Sequence, residues 1–185
     1  MSKIRLSKSN IGIEEKIKIR VIGQRFELND VIEVPGYATG IVEQIGFRST
    51  LIRQFDSTPI SIPNYVFSDT SIVNFSDRDY RRINWTIGLT YDTSISQLQN
   101  ICKDIDLFIR SNSDFIVNET YKLFVSVEKF NDSSIDILIY TFTSTNEWEK
   151  YLKIKEELAF MIREVVENNK SSFAFPSQSI YIEKE

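Results

Sequence analysis

The residues able to do chemistry are few, and their spacing assembles none of the usual reactive sets. The 185-residue chain has no histidine and one cysteine, Cys102. Histidine is the commonest general base and metal ligand near neutral pH, and a structural zinc site needs several Cys or His, so metal and thiol chemistry lose their main participants. Cys102 cannot form an internal disulfide, and its place in an apolar helical pattern predicts a buried, inert thiol. The glycines are too far apart for a G-x-G-x-x-G turn or a phosphate loop, and there is no G-x-S-x-G elbow. Carboxylates remain. Asp104, Asp106, Asp132 and Asp136 are available for acid–base work, but each falls at a turn or on the polar side of its element and reads as solvated surface. No catalytic group, cofactor, metal or small-molecule substrate is expected.

The charge pattern also argues against a nucleic-acid partner. The net charge is −4, divided as +5 over residues 1–25 and −9 over the rest. Phosphate recognition relies on clustered cations, and the only cluster beyond the N-terminus, Arg78, Arg81 and Arg82, is diluted by Asp77 and Asp79. That cluster reads as a solvated linker or subunit contact. Phe124, Phe130, Tyr140, Phe142, Phe160, Phe173 and Phe175 are spaced as core or interface residues, and are not interleaved with arginine as stacking platforms are. Apolar residues make up 42% of the chain, enough to fill a core. No run approaches the 20 or so apolar residues that a bilayer-crossing helix needs, and no secretory signal opens the sequence, so the chain as given is expected to stay in the cytosol.

The elements that would position any site come in two styles. In residues 11–22, Ile17, Ile19 and Val21 alternate with Lys16, Lys18 and Arg20, which predicts a strand within a basic N-terminal segment, residues 1–25. Residues 26–76 carry short β-branched runs at 31–34, 39–45, 47–55, 59–62 and 71–75, separated by turn signals. Pro35-Gly36 suits the central pair of a type II turn, and Gly40 and Gly46 bracket a strand where a bulge or bend would let a small sheet curl. From residue 77 the pattern lengthens. Ile83, Trp85, Ile87, Leu89 and Tyr91 mark a half-buried strand, and Ile95, Leu98, Ile101, Ile105 and Phe108/Ile109 an amphipathic helix capped from Asp92–Ser96. Strands over 121–130 and 134–142 flank an Asn131-Asp132-Ser133 turn. A second helix follows, capped by Ser144, Thr145 or Asn146, with Trp148, Tyr151/Leu152, Leu158/Ala159, Ile162 and Val165/Val166 on its apolar face. It ends at Asn168-Asn169, and an extended segment at Ser179–Ile182 completes β-α-β-β-α-β, a ferredoxin-like order over residues 77–185.

Several of these segments, taken in order, resemble the small-conductance mechanosensitive channel (MscS-like) family. They are Phe26 to Gly36, Gly40 to Thr50, Ile52-Arg53, Phe55-Asp56, Ile62-Pro63-Asn64, Ile72-Val73-Asn74-Phe75-Ser76 and Arg81-Arg82-Ile83. Ile87 to Asp92, Asp132 to Ser134 and Phe173-Ala174-Phe175-Pro176 continue the series. The resemblance implies an α+β chain, a small Sm-like β-domain followed by a ferredoxin-like α/β domain. It also implies assembly of identical subunits into a ring of seven, on the cytoplasmic side of the cell (inner) membrane, filtering solutes below a tension-gated pore.

Carried over by position, Gly36, Gly40 and Gly46 shape the β-domain turns, Arg48 and Arg53 offer charge near subunit contacts, and Pro63-Asn64 closes the strand order. Asn74, Asp92 and Pro176 belong to the same motifs. Ser179–Ile182 falls where family members gather strands about the ring axis, so it has two candidate pairings, within or between subunits. Two departures stand out. Charged Ile11–Ile22 occupies the place of the Gly- and Ala-rich pore helix, and the family's V-G-D is Leu28-Asn29-Asp30 here. These leave a channel subunit without its membrane part, or a non-conducting scaffold that reuses both domains. An Sm-type RNA-binding ring is a more distant reading, opposed by the acidic balance.

Overall fold

The computed structural model describes residues 26–176, which divide into two compact units, the first ending at Arg78 and the second starting at Asp79. The strand expected within residues 11–22 and the extended segment expected at 179–182 lie outside the described residues.

In the first unit the sequence runs β1 (Val31–Val34), β2 (Ala38–Ile45), β3 (Ser49–Gln54), β4 (Pro59–Pro63), α1 (Val66–Asp69) and β5 (Val73–Asn74). The strands form one antiparallel sheet in the order β4-β3-β2-β1-β5. Alternation drives it: Ile32, Val34, Val42, Ile52 and Ile62 point inward and, with Val66 and Phe67 of α1, make a small separate core. Each such side chain contributes about 1.5–3 kcal/mol when fully buried. Between β1 and β2, Gly36 has φ +81° and the Tyr37 N–H donates to the Val34 carbonyl at 3.0 Å, as the Pro35-Gly36 pair requires. The β2–β3 register slips between Val42 and Gln44, so the bulge falls at Glu43 and not at either bracketing glycine. The helical turn α1 had no sequence signal, since four residues are too few to display a period.

The second unit runs β6 (Arg81–Leu89), α2 (Ile95–Ser111), β7 (Phe115–Ile116), β8 (Phe124–Phe130), β9 (Ile135–Thr143) and α3 (Trp148–Asn168). Strand β9 is central and antiparallel to all its neighbours. It pairs with β6 along its whole length, with β8 over Ile135–Tyr140 and with β7 over 142–143. The first five expected elements are thus present in order, with β7 as an addition too short to read from periodicity. Ile83 and Leu89 of β6, with Ile135, Ile137 and Ile139 of β9, face α2 and α3.

Helix α2 begins at Ser94, whose side chain and that of Gln97 form a capping box. Its buried stripe is Leu98, Ile101, Ile105 and Ile109, while Ile95 is exposed, one turn too early to reach the sheet. Helix α3 buries Ile154, Leu158, Ile162 and Val166. This corrects the expected face, because Trp148, Leu152 and Ala159 are exposed and Ile154 takes the inner position. Its N-cap is Glu147 and not one of the three preceding residues. The Thr145 hydroxyl instead accepts the Glu147 N–H at 3.1 Å, just outside the helix.

Thr141 of β9 is fully buried among these apolar groups and its hydroxyl has no partner. Thr141→Val keeps the shape and removes the unsatisfied group, so it is expected to raise unfolding free energy by about 1 kcal/mol in urea titration.

Candidate functional site

Several of the singled-out residues of the first unit gather at the β2–β3 corner and in the loop before β1, while Gly40 and Arg53 lie within the β2–β3 ladder. At one end, Gly46 N–H donates to the Ser49 carbonyl at 2.9 Å, closing a tight β2–β3 corner whose tip is Phe47-Arg48. A Cβ on Gly46 would lie 2.7 Å from that same carbonyl oxygen, so only glycine fits. Asn64, just after Pro63 at the end of β4, holds the corner. Its Nδ2 donates to the Gly46 and Phe47 carbonyls at 3.0 and 3.2 Å, its Oδ1 accepts the buried Thr50 hydroxyl at 2.9 Å, and its backbone N–H donates to the Arg48 carbonyl at 2.9 Å. The corner therefore presents Phe47, 90% exposed, beside an exposed Arg48 on rigid backbone. Asn64→Ala leaves two carbonyls and a hydroxyl without their partner. The first unit is expected to lose about 2 kcal/mol in denaturant titration, with faster amide exchange over 46–49.

Along the sheet, Arg53 grips the Glu43 carboxylate with Nε at 3.1 Å and Nη2 at 2.8 Å, and its Nη1 donates to the Ser57 carbonyl at 2.8 Å. Arg53 thus ties the bulge residue to the β3–β4 turn, where Ser57 takes φ +72°. In the loop before β1, Asp30 Oδ2 accepts both the Glu27 N–H at 2.7 Å and Asn74 Nδ2 at 2.9 Å, fixing β5 beside β1. Asn29, where the resemblance implies glycine, takes φ +70°. Asparagine is among the few side chains that tolerate this left-handed backbone, so the departure from V-G-D keeps the turn.

In the second unit, the structure corrects the reading of one carboxylate. Asp136 is only 5% exposed, accepting Ser134 Oγ at 2.6 Å and Asn131 Nδ2 at 3.2 Å, with Lys129 Nζ 3.9 Å away. Gly88, its partner across β6–β9, makes the room: a Cβ there would lie 2.9 Å from Ser134 Cβ. The 131–134 turn is thus locked to the sheet, and Tyr91 adds a hydrogen bond to the Asn131 carbonyl at 2.6 Å. Asp106 pairs with Arg110, and Asp104 accepts from Asn169. Asp92 lies exposed in the turn after β6, and Pro176 closes the described residues.

The arginines have separate local partners. Arg78 stacks on Phe75 and Arg81 on Trp148 and Tyr151, while Arg82 lies 5.8 Å from the Tyr140 ring on the sheet face away from the helices. There Tyr140 touches the rings of Phe124 and Phe142, and Phe142 in turn touches Tyr121. An open groove of about 490 Å³ beside the start of α3 is lined by Asp114, Glu147, Lys150, Lys153 and Glu157, whose mixed signs select no ligand charge. Among the described residues no group of His, Cys, Asp and Glu converges to hold a metal.

Cys102 is half-buried against the core, and burial pushes its thiol above the ordinary cysteine range. The neutral thiol therefore dominates near pH 7, and iodoacetamide is expected to label the folded chain at least about tenfold more slowly than the urea-unfolded chain.

Comparison with known proteins assigns these two units together. The sequence model "Mechanosensitive ion channel, beta-domain" matches residues 17–77, and "Mechanosensitive ion channel MscS, C-terminal" matches residues 83–173. An uncharacterized MscS family protein of Aquifex aeolicus is 40% identical over 166 residues, covering 90% of this chain and 44% of that protein. The Escherichia coli low conductance mechanosensitive channel YnaI is 32% identical, covering 85% of this chain and 46% of its own length. The small-conductance channel MscMJ of Methanocaldococcus jannaschii is 34% identical, covering 89% and 46%.

Among solved structures, Helicobacter pylori MscS in the closed state superposes with a TM-score of 0.70 at 24% identity, over 89% of this chain and 62% of that one. Arabidopsis thaliana MSL1 superposes with 0.73 at 20%, over 82% and 53%. The chain carries a mechanosensitive-channel β-domain followed by the family's C-terminal α/β domain. It belongs to the MscS family, and spans under half the length of the curated relatives above. No described helix is long and apolar enough to cross a membrane.

Proposed function

We propose that this chain is the vestibule portion of a mechanosensitive channel subunit, which assembles with identical copies into a ring, seven in number, on the cytoplasmic side of the membrane. There it filters solutes through openings between subunits beneath a tension-gated pore. The supporting observation is that both family domains occur in the family's order, each around its own core. The rigid corner at Phe47-Arg48 supports the assembly part of the reading, since a large apolar group held in water gains from being covered.

The test grafts residues 26–185 behind the membrane helices of a working relative in channel-deficient cells. Survival of osmotic downshock, with a seven-subunit assembly by native mass spectrometry, is the expected result. A graft that is inserted and assembled but never protects would favour a scaffold without conduction. Strict monomers at high concentration would overturn the ring.

A further inference from the structure

Strand β4 ends its sheet, and among the described residues no strand pairs with its outer side. Which of its backbone groups face outward follows from the ladder with β3. At one end of that ladder the Asn64 N–H donates to the Arg48 carbonyl at 2.9 Å, and at the other the Gln54 N–H donates to the Thr58 carbonyl at 2.9 Å. Antiparallel pairs alternate between hydrogen-bonded and non-hydrogen-bonded, and the register runs without a slip from Ser49 opposite Pro63 to Arg53 opposite Pro59. Ile60 and Ile62 therefore turn their N–H and carbonyl groups toward β3, while residues 59, 61 and 63 turn theirs away from the sheet. Residues 59 and 63 are prolines. The edge thus presents outward carbonyls at Pro59, Ser61 and Pro63 but a single N–H, that of Ser61, and all three residues are exposed.

We infer that Pro59 and Pro63 guard this edge: they limit any incoming strand to one complete rung, at Ser61, and so keep β4 from seeding an extended ladder between copies of the chain. A strand laid along β4 would seek its next donors two residues to either side of Ser61, and at both places a ring stands where the hydrogen should be. The β3–β4 ladder is untouched, because each missing N–H falls on the side that β3 does not use. The guard has work to do here. Ile60 and Ile62 are strong β-formers, and residues 57–68 include no charged side chain that could repel a second copy. Strand β8 of the second unit is protected by other means: it has no proline, but its register slips between Val127 and Lys129, and Glu128 and Lys129 are exposed charges. The inference concerns what the β4 edge excludes, so it goes beyond the ring proposal and holds at any subunit number.

The test compares the chain with Pro59→Thr, Pro63→Thr and the double variant, which restore outward N–H groups without adding apolar surface. Urea titration gives the stability of each. Self-association is then followed by thioflavin fluorescence and light scattering, at urea concentrations that set equal unfolded fractions, so that a loss of stability is not mistaken for an opened edge. Hydrogen exchange on the aggregate locates the new ladder.

The double variant is expected to form thioflavin-positive aggregate at least about tenfold faster than the parent, with the amides of residues 59, 61 and 63 protected in the product. Equal rates in the two chains, or fast exchange of those three amides in the aggregate, would overturn the inference. Should Pro63→Thr disturb the neighbouring Asn64 clamp and fail to fold, Pro59→Thr at the far end of β4 carries the comparison alone. It is expected to aggregate about threefold faster than the parent, and no acceleration would overturn the inference equally.

Discussion

Replacing Gly40 by valine is expected to unfold the first unit selectively, costing it about 3 kcal/mol or more. Gly40 is buried in β2 opposite Gln54, and a Cβ there would run into the Arg53 carbonyl oxygen, with Arg53 C at 2.7 Å and Gln54 Cα at 2.9 Å. All three are backbone atoms of the neighbouring strand, so no side chain can swing aside. The strands must separate or the sheet must flatten, and both break the curl that closes the small core. Urea titration followed by amide-resolved NMR is expected to show the transition of residues 26–78 moving to lower denaturant while that of residues 79–176 stays. Gly36→Ala is the contrast. Its Cβ meets open space, and only the φ of +81° opposes it, so a loss of about 1–2 kcal/mol is expected. Equal losses at the two positions would refute the close-approach argument.

The second large effect is expected at Asp136. Asp136→Leu strips the half-buried Ser134 hydroxyl and the Asn131 amide of their acceptor and adds bulk against Gly88, for a loss of about 3 kcal/mol from the second unit. Hydrogen bonds to a charged acceptor stand at the strong end of the range, which is why this exceeds the Asn64 case. Asp136→Asn keeps one acceptor oxygen and is expected to fall between. Gly88→Ala should loosen the same turn from the opposite strand. Thermal unfolding measures the size, and exchange of the Asn131 and Ser134 amides locates it. A neutral Asp136→Leu would mean that the turn is held by the Tyr91 contact alone.

Strand positions in the first unit were legible because β-branched residues alternate there between turn signals whose chemistry is specific. Pro35-Gly36 dictates its own geometry, and each of the five short runs became a strand. The third begins two residues later than its apolar pattern. Phe47 is apolar yet belongs to a corner, since the Gly46–Ser49 hydrogen bond removes it from the ladder. In the helices the period was legible but the face was not fully so. Trp148 and Leu152 are apolar and still turn outward, because which side of α3 meets the sheet depends on the tertiary position that Ile154 occupies. Asp136 was misread for a related reason. An acidic residue beside a turn is usually solvated, and its burial depends on a glycine 48 positions earlier that no local window includes. The hydrogen bonds of Arg53 and Asn64 are long-range in the same sense: the motif marks these positions, but their partners emerge only when β2, β3 and β4 are side by side.

The Asn64-clamped corner has a consequence for the fate of single copies. The backbone that carries Phe47 is held by two hydrogen bonds from the Asn64 side chain and by a tight turn, which keep its side chain pointing outward. In this chain the corner therefore displays a water-facing benzyl group, which the proposed assembly would cover. Under the proposed assembly, copies made in excess of their mates would keep this surface open to chaperones and proteases, which read exposed apolar groups.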